Sequence, residues 1–381
     1  MREKKNLSKK RFVWRKTRRH DPFRITVNVV CSLVLIISTL ALTGMLALGM
    51  HPLQENDPDH PAEETASGLE PLPTSTHHNS SYILVLGTDN SNGLTDMILV
   101  ACMDHEKNTM NFLQITRDLY IGDDIPSGKI NAVYANARKG ENKINALRRR
   151  LGSYLGIPID HYVTFNLEGF RNMVDAIGGV DINIAQEDGI DVEDFTTGEH
   201  YIMGPGPVHL DGNKAESFVR KRYQTKHMDK GYALGDVSRV QQQRVFYAAL
   251  AKKLQSMSLG QLTSAATQCY KEITTDLSIG EMLGYAQEMQ QVDMSNILMK
   301  SVPGQFCETR LDGEEYRLDY YSIHKEEYVE MFNAYFNPYG EALTVDGIQI
   351  EELHRLVGDK YEPSVEDGGG TLEEIAIENG E

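Results

Sequence analysis

Two carboxylates and a set of well-separated cationic side chains mark where chemistry can occur in this sequence. Asp89 follows the apolar run ending Leu86-Gly87, and Asp96 precedes the next such run, so the pair flanks one tight polar turn. Carboxylates so placed can share a hard cation such as Mg²⁺, which takes a few of them and completes its shell with phosphate or water. Asp and Asn are also ordinary turn formers, which is the competing reading of the pair. Arg117-Asp118 ends the third apolar run, and Lys129 follows a loop holding Pro126 and Gly128. If Phe218–Arg222 is extended, Arg220 and Arg222 share a face. If the stretch from Asp236 is helical, Arg239 and Gln243 do. Basic groups amid apolar sequence either pair structurally with acids or bind a multiply charged anion through bidentate contacts.

The elements that must position these groups are legible from period and punctuation. Tyr82–Gly87, Met97–Met103 and Met110–Thr116 are short β-rich runs with turn-rich boundaries, as buried strands require. Glu141–Leu155 carries Leu147, Leu151, Tyr154 and Leu155 on one helical face, with Arg148-Arg149-Arg150 read as its solvated side or a contact for lipid head groups. A strand–helix–strand passage follows at His161–Asn166, Leu167–Ile177 and Val180–Ile184, the helix ended by Gly178-Gly179. Asp236–Ser256 reads as a buried helix, and helices at Ile279–Val292 and His324–Asn337 flank a strand near Ile297–Val302. Strands interleaved with helices predict an α/β domain, a layered mixed sheet with flanking helices, over 81–362. No chemistry is legible between Ser256 and Glu362.

Charge divides the chain. Residues 1–25 hold eleven Lys or Arg against Glu3 and Asp21, a net of +9; the whole chain carries −17, so the other 356 residues carry −26. Between these regions Ile25–Met50 is free of charge, roughly 39 Å long as a helix and enough to cross the ~30 Å hydrocarbon core with tilt. A cleaved signal peptide would have a shorter apolar region and a small-residue cleavage site. The reading is therefore a basic cytoplasmic tail (1–24), a transmembrane helix (25–50), a Pro/Glu/Ser-rich stalk (51–80) and an extracellular domain, with the N-terminus held inside by its positive charge. Attraction to anionic lipid and topology explain the basic tail more simply than a nucleic-acid arm. The acidic segment 363–381 reads as disordered.

Other chemistries lack their motifs: there is no Walker loop, no GxSxG and no HExxH. Twelve histidines are mostly scattered through tail, stalk and loops. Cys102, Cys269 and Cys307 contain no CxxC and so no zinc motif. Cys102 is expected as a buried free thiol, and a Cys269–Cys307 disulfide stays open.

The ordered motifs resemble the LytR–CpsA–Psr family of bacterial envelope proteins. They are Val85-Leu86-Gly87-Thr88-Asp89, Thr95-Asp96-Met97-Ile98-Leu99, Thr116-Arg117-Asp118-Leu119-Tyr120, Lys129-Ile130-Asn131-Ala132, Asp175–Asp181, Leu210–Ala215, Val219–Arg222 and Gly235–Arg239. The resemblance runs from about Tyr82 to Leu254. It implies a Mg²⁺-dependent phosphotransferase that attaches an anionic glycopolymer, a teichoic acid or capsular-type polysaccharide, from an undecaprenyl-pyrophosphate carrier to peptidoglycan. Carried over, Asp89 and Asp96 match the metal carboxylates. Arg117, Lys129, Arg220, Arg222, Arg239 and Gln243 match the groups near the pyrophosphate, with Arg117, Arg220 and Arg222 in the transfer itself. Asp118 is read as orienting Arg117 rather than as a base. Ser91 and Leu94 stand where the family often carries Arg, Gln242 where Arg usually precedes Gln, and Thr116 where Pro often precedes Arg-Asp. The alternatives are a non-catalytic prenyl-phosphate-binding or regulatory membrane protein, and a pyrophosphate hydrolase acting on the same lipid.

Overall fold

The computed structural model describes residues 79–88, 94–137, 140–221, 233–311, 317–364 and 369–378. The tail, the apolar run Ile25–Met50 and stalk residues 51–78 lie outside these residues, as do Asp89, Ser91 and Arg222, while Ser80, read as stalk, opens the first strand. Among the described residues no helix is long and apolar enough to cross a membrane.

Three strands open the fold: β1 (Ser80–Thr88), β2 (Thr95–Asp104) and β3 (Thr109–Ile115). A short α1 (Asn131–Ala135) and α2 (Lys143–Leu155) lead to β4 (His161–Asn166) and α3 (Leu167–Ala176). Four short strands follow, β5 (Val180–Ile184), β6 (Ile190–Asp194), β7 (Glu199–Met203) and β8 (Gly206–Leu210). They pair antiparallel as β5–β8 and β6–β7. Next come α4 (Gly212–Arg220), the long α5 (Ala233–Ser256), α6 (Leu259–Cys269), β9 (Thr274–Thr275) and α7 (Ile279–Gln291). The chain continues through β10 (Ile297–Ser301), β11 (Gly304–Thr309), β12 (Leu318–Ile323), α8 (Lys325–Tyr335), α9 (Leu353–Leu356) and α10 (Leu372–Glu378). The central sheet runs β10-β3-β2-β1-β4-β9. It is mixed, with β1–β4 and β10–β3 parallel and β1–β2, β2–β3 and β4–β9 antiparallel.

The two faces of this sheet have different tasks. Successive strand residues point to opposite faces. Tyr82, Leu84, Leu86, Ile98, Val100 and Leu113 therefore pack on one side with Leu147 and Leu151 of α2 and Tyr328 and Phe332 of α8, all buried. Their neighbours Val85, Gly87, Met97, Leu99 and Phe112 face the other side, where they line a cavity roofed by α5. Strands covered on both faces read as continuous apolar runs, which is why β2 shows little alternation in sequence.

The helix ends follow their local signals. Asn142 caps α2 by accepting from the amides of Ile144 and Asn145. Beyond α3, Gly178 and Gly179 take φ of +78° and +72°, a conformation open to glycine at little cost, and their amides return to the carbonyls of Asp175 and Val174. Gly212, first residue of α4, lies so close to α3 that a Cβ there would collide with the Arg171 carbonyl. Its amide donates to Asp175 Oδ1 at 2.8 Å. Asp211 caps the helix on the Lys214 amide. These contacts set where α4 ends, and it ends on Arg220.

Several expectations need correction. Phe218–Arg220 is the last turn of α4 rather than extended chain, because the capped start at Asp211 sets a helical register that runs through Arg220. Arg148-Arg149-Arg150 is not a solvated face. Arg150 is buried, 2.5 Å from Asp124 and stacked on Tyr154, Arg148 donates to the carbonyls of Ile159 and Asp160, and Arg149 pairs with Glu141. The acidic segment read as disordered over 363–381 contains α10, since Leu372 and Ile375, three apart, give it an apolar face that is buried. Cys102 is the buried free thiol expected, and the open question of a Cys269–Cys307 disulfide closes with both thiols free. Burial pushes the Cys269 and Cys307 thiols up to about 11 and about 12, so neither is a ready nucleophile.

The segment from 304 to 364 builds a layer with a buried histidine pair. His324 and His354 are each 1% exposed, with ring centroids 5.3 Å apart. His324 Nε2 donates to Gln305 Oε1, its Nδ1 faces Ser364 and Glu327, and His354 Nδ1 meets Ser322 Oγ. Burial lowers both pKa values below 6.5, against the opposing pull of Glu327 and Glu352. The unfolded chain therefore binds these protons more readily than the folded one. Stability is full above pH 6.5 and is lost as pH falls from there through the lowered folded values. Thermal melting of His354→Gln beside the parent should show a shallower acid slope in the variant; equal slopes would remove His354 from the effect.

Candidate functional site

The cavity between the sheet and α5 has a volume of about 750 Å³, and its wall is overwhelmingly apolar. Phe165, Phe170, Phe246 and Tyr247 contribute aromatic surface, and Met97, Met173, Met289 and Met299 contribute flexible thioethers. Polar side chains gather where β1, β2, β4 and α5 converge: Thr88, Asp96, Asn166, Arg117, Arg220, Arg239 and Gln243. The structure thus brings together Asp96, Arg117, Arg220, Arg239 and Gln243 of the sequence-derived site at one mouth. The pairing of Arg239 with Gln243 on one face of a helix is borne out, because both line the cavity from α5.

Arg117, Lys129 and Arg220 are each held by a carboxylate. Arg117 Nη1 donates to Asp96 Oδ1 at 2.7 Å, and its Nε lies 3.6 Å from Asp118 Oδ2. Asp118 in turn accepts from Lys129 Nζ at 2.7 Å. Lys129 lies over the Tyr320 ring and lines no part of the cavity; it reaches the site only through Asp118. Asp118 thus sits between the two cations, close to Lys129 and farther from Arg117. Arg220 Nη1 donates to Glu216 Oε1 at 2.6 Å, and Arg171 Nη1 donates to the other oxygen at 2.5 Å. Glu216 is 3% exposed, so one buried carboxylate anchors a cation at the mouth. The Arg220 guanidinium also stacks 3.6 Å from the Phe195 ring centroid.

Sequence reading missed Gln114, Thr116, Ser301 and Tyr321. With Asp96, Arg117, Arg239 and Gln243 they line a recess of about 20 Å³ beside the mouth. That is roughly the room needed by one water or one hydroxyl group. Gln114 Nε2 donates to Gln243 Oε1 at 2.7 Å, while Gln114 Oε1 and Thr116 Oγ1 are buried with no hydrogen-bond partner among the described residues. Tyr321 acts through its backbone. Its amide donates to the Asp118 carbonyl and its carbonyl accepts from the Tyr120 amide, both at 2.9 Å. The segment that carried no legible chemistry therefore braces the Arg117-Asp118 turn. Gln242 is buried and lines neither space.

Among the described residues no group of three or more His, Cys, Asp or Glu could hold a metal. Among the described residues Asp96 is the carboxylate that lines the mouth, half exposed and with Oδ1 engaged by Arg117. One or two carboxylates, with waters and phosphate oxygens completing an octahedron, suit Mg²⁺, and the donor chemistry here fits that pattern.

Fold and site together define an α/β domain with an amphiphilic cavity, apolar in its depth and cationic at its mouth. The model of the LytR_cpsA_psr family matches residues 52–337, and the chain belongs to that family. It is 30% identical over 238 residues to the polyisoprenyl-teichoic acid–peptidoglycan teichoic acid transferase TagU of Bacillus mycoides (strain KBAB4), covering 61% of this chain and 70% of that protein. With TagV of Bacillus subtilis (strain 168), named for the same activity, it shares 27% over 272 residues, 67% of this chain and 66% of that one. The crystal structure of B. subtilis TagV superposes with a TM-score of 0.54 at 23% identity, covering 67% of this chain and 95% of that one. TagT bound to LI-WTA gives 0.54 at 20% identity, covering 69% and 92%. These superpositions show the common fold.

Proposed function

We propose that this chain transfers an anionic glycopolymer, of the teichoic acid or capsular-polysaccharide kind, from an undecaprenyl-pyrophosphate carrier to peptidoglycan. The observation that carries the reading is the cavity, which matches a lipid diphosphate in both halves. Its apolar body suits a prenyl chain, and the Arg117, Arg220, Arg239 and Gln243 mouth suits a diphosphate. The activity named for the relatives TagU and TagV supports the same direction.

The reaction divides into tasks for this chain's residues. Phosphoryl transfer is chiefly positioning and charge neutralisation. Arg220, with Arg222 next but one in sequence, clamps the phosphate that carries the glycopolymer, and Arg239 and Gln243 hold the diphosphate from the helix side. Arg117 neutralises charge that develops as the acceptor hydroxyl oxygen bonds to phosphorus and the bond to the prenyl phosphate breaks. The hydroxyl proton ends on the departing prenyl phosphate. Asp96, with Asp89, would hold Mg²⁺, which when bound neutralises diphosphate charge and eases departure of the leaving group. The anchor Ile25–Met50 belongs to the proposal, holding the domain on the outer face of the cell membrane beside a substrate confined to the bilayer.

A second reading, hydrolysis of the same diphosphate, draws on the water-sized recess at Gln114 and Thr116. Full-length chain in nanodiscs is incubated with Mg²⁺, lipid-linked glycan and peptidoglycan fragments, and products are weighed by mass spectrometry. A covalent glycan–peptidoglycan product is expected, and chelation of Mg²⁺ should suppress it. Free glycan phosphate would transfer the assignment to the hydrolase reading. Lipid binding without any product would leave only a binding or regulatory protein.

A further inference from the structure

Resting on the prenyl-carrier reading, we propose that the C-terminal helix α10 walls the deep half of the cavity and sets the length of prenyl chain it accepts. The axis of the cavity is given by α5. Arg239, Gln243, Phe246, Leu250 and Leu254 line it in order, from the cationic mouth to an apolar end roughly 22 Å away at 1.5 Å per residue. Leu372 of α10 lines the same space and is 1% exposed. It belongs to one apolar cluster with Ala248 and Ala251, which lie nine and twelve residues beyond Arg239 on α5. The sheet gives the same depth independently. Thr371 bridges Leu298, and Leu298 pairs with Asn111, which lies six residues, about 20 Å of strand, before Arg117.

The helix is placed firmly but held lightly. The Met299 amide donates to the Gly370 carbonyl at 2.9 Å. Gly369, at φ +69°, passes so near β10 that a Cβ there would collide with the Met299 carbonyl. Of α10, Leu372 and Ile375 are buried, while Glu373, Glu374 and Ile377 face outward. This is a wall applied to the sheet rather than a part of the central core. It also lies beyond residues 52–337, the part of the chain that matches the family, so it can differ where the catalytic mouth does not. Each buried increment of prenyl chain adds affinity until it meets a wall, and in this chain Leu372 is that wall.

The test measures binding of farnesyl, heptaprenyl and undecaprenyl diphosphate, with inorganic pyrophosphate as the head-group control, to the full-length chain by calorimetry. In the parent, affinity should rise with length and then level off. In Leu372→Ala, and in a chain ending at Ser364, undecaprenyl diphosphate should gain about tenfold, the effect of burying roughly two more methylene groups. In Leu372→Trp the levelling should come at a shorter chain, with pyrophosphate affinity unchanged throughout. If the shortened chain does not fold, the two point variants decide. An identical length profile in both overturns the role of α10 and leaves the carrier reading standing. Failure of the parent to bind any prenyl diphosphate overturns the carrier reading and this inference with it.

Discussion

Arg117→Ala is expected to lower glycopolymer transfer by about a hundred- to a thousand-fold, the usual loss when a preorganised donor to developing charge is removed. Its melting temperature should stay close to that of the parent. The two expectations come from the same geometry. Arg117 is about one-quarter exposed and its partner Asp96 about half, so the ion pair is hydrated and contributes little to stability. Asp118 keeps Lys129 as a partner in the variant and is not left as a lone buried charge. At the mouth, by contrast, nothing replaces the guanidinium. Arg117→Lys should recover only part of the loss, because a single ammonium cannot hold Asp96 and reach a phosphate oxygen together. Turnover measured beside a thermal melt decides the matter, and a parental rate in Arg117→Ala would remove this residue from the reaction.

Glu216→Ala should show the opposite balance, a large stability loss with a secondary loss of function. Removing one member of a buried charge set costs about 3–5 kcal/mol where the remaining charge is trapped. Here Arg171 and Arg220 are 27% and 39% exposed and can turn toward water, so about 2–3 kcal/mol is expected. Arg220 then loses the contact that aims it, and transfer should fall with KM rising more than kcat changes. Glu216→Gln keeps the shape but only one of the two acceptor oxygens, and should lie between. Urea midpoints of the three chains test the ordering; an unaltered midpoint in Glu216→Ala would mean that the carboxylate is not the anchor described.

Much of this was legible before the structure because the informative signals were local. Strand runs such as Tyr82–Gly87, the Gly178-Gly179 stop and the periodicity of α5 depend on near neighbours, and they locate β1, α3 and α5 within a few residues. The cationic set was legible for a different reason, since charges amid apolar sequence require a partner or a ligand. What escaped was set by distant contacts. Gln114 looks like an ordinary polar residue in β3 until Gln243, far along the chain, is seen to accept from it. Lys129 shares the character of the other cations but is drawn aside by Asp118 and Tyr320. The helical end at Arg220 depends on a cap nine residues earlier and a glycine pressed against α3. The buried pair His324 and His354 has no local mark, because burial of a histidine is decided by what closes over it.

The backbone bracket of Tyr321 around Asp118 makes completion of the site a late event in the life of the chain. Ribosomes release the N-terminal part first, at about 5–20 residues per second. The turn carrying Arg117 is therefore synthesised some two hundred residues before the strand that braces it. A nascent chain halted before Leu318 already holds every cationic residue of the mouth, yet lacks the backbone that braces the Arg117-Asp118 turn. The brace on the Arg117-Asp118 turn is thus a contact that the polypeptide acquires near the end of its synthesis.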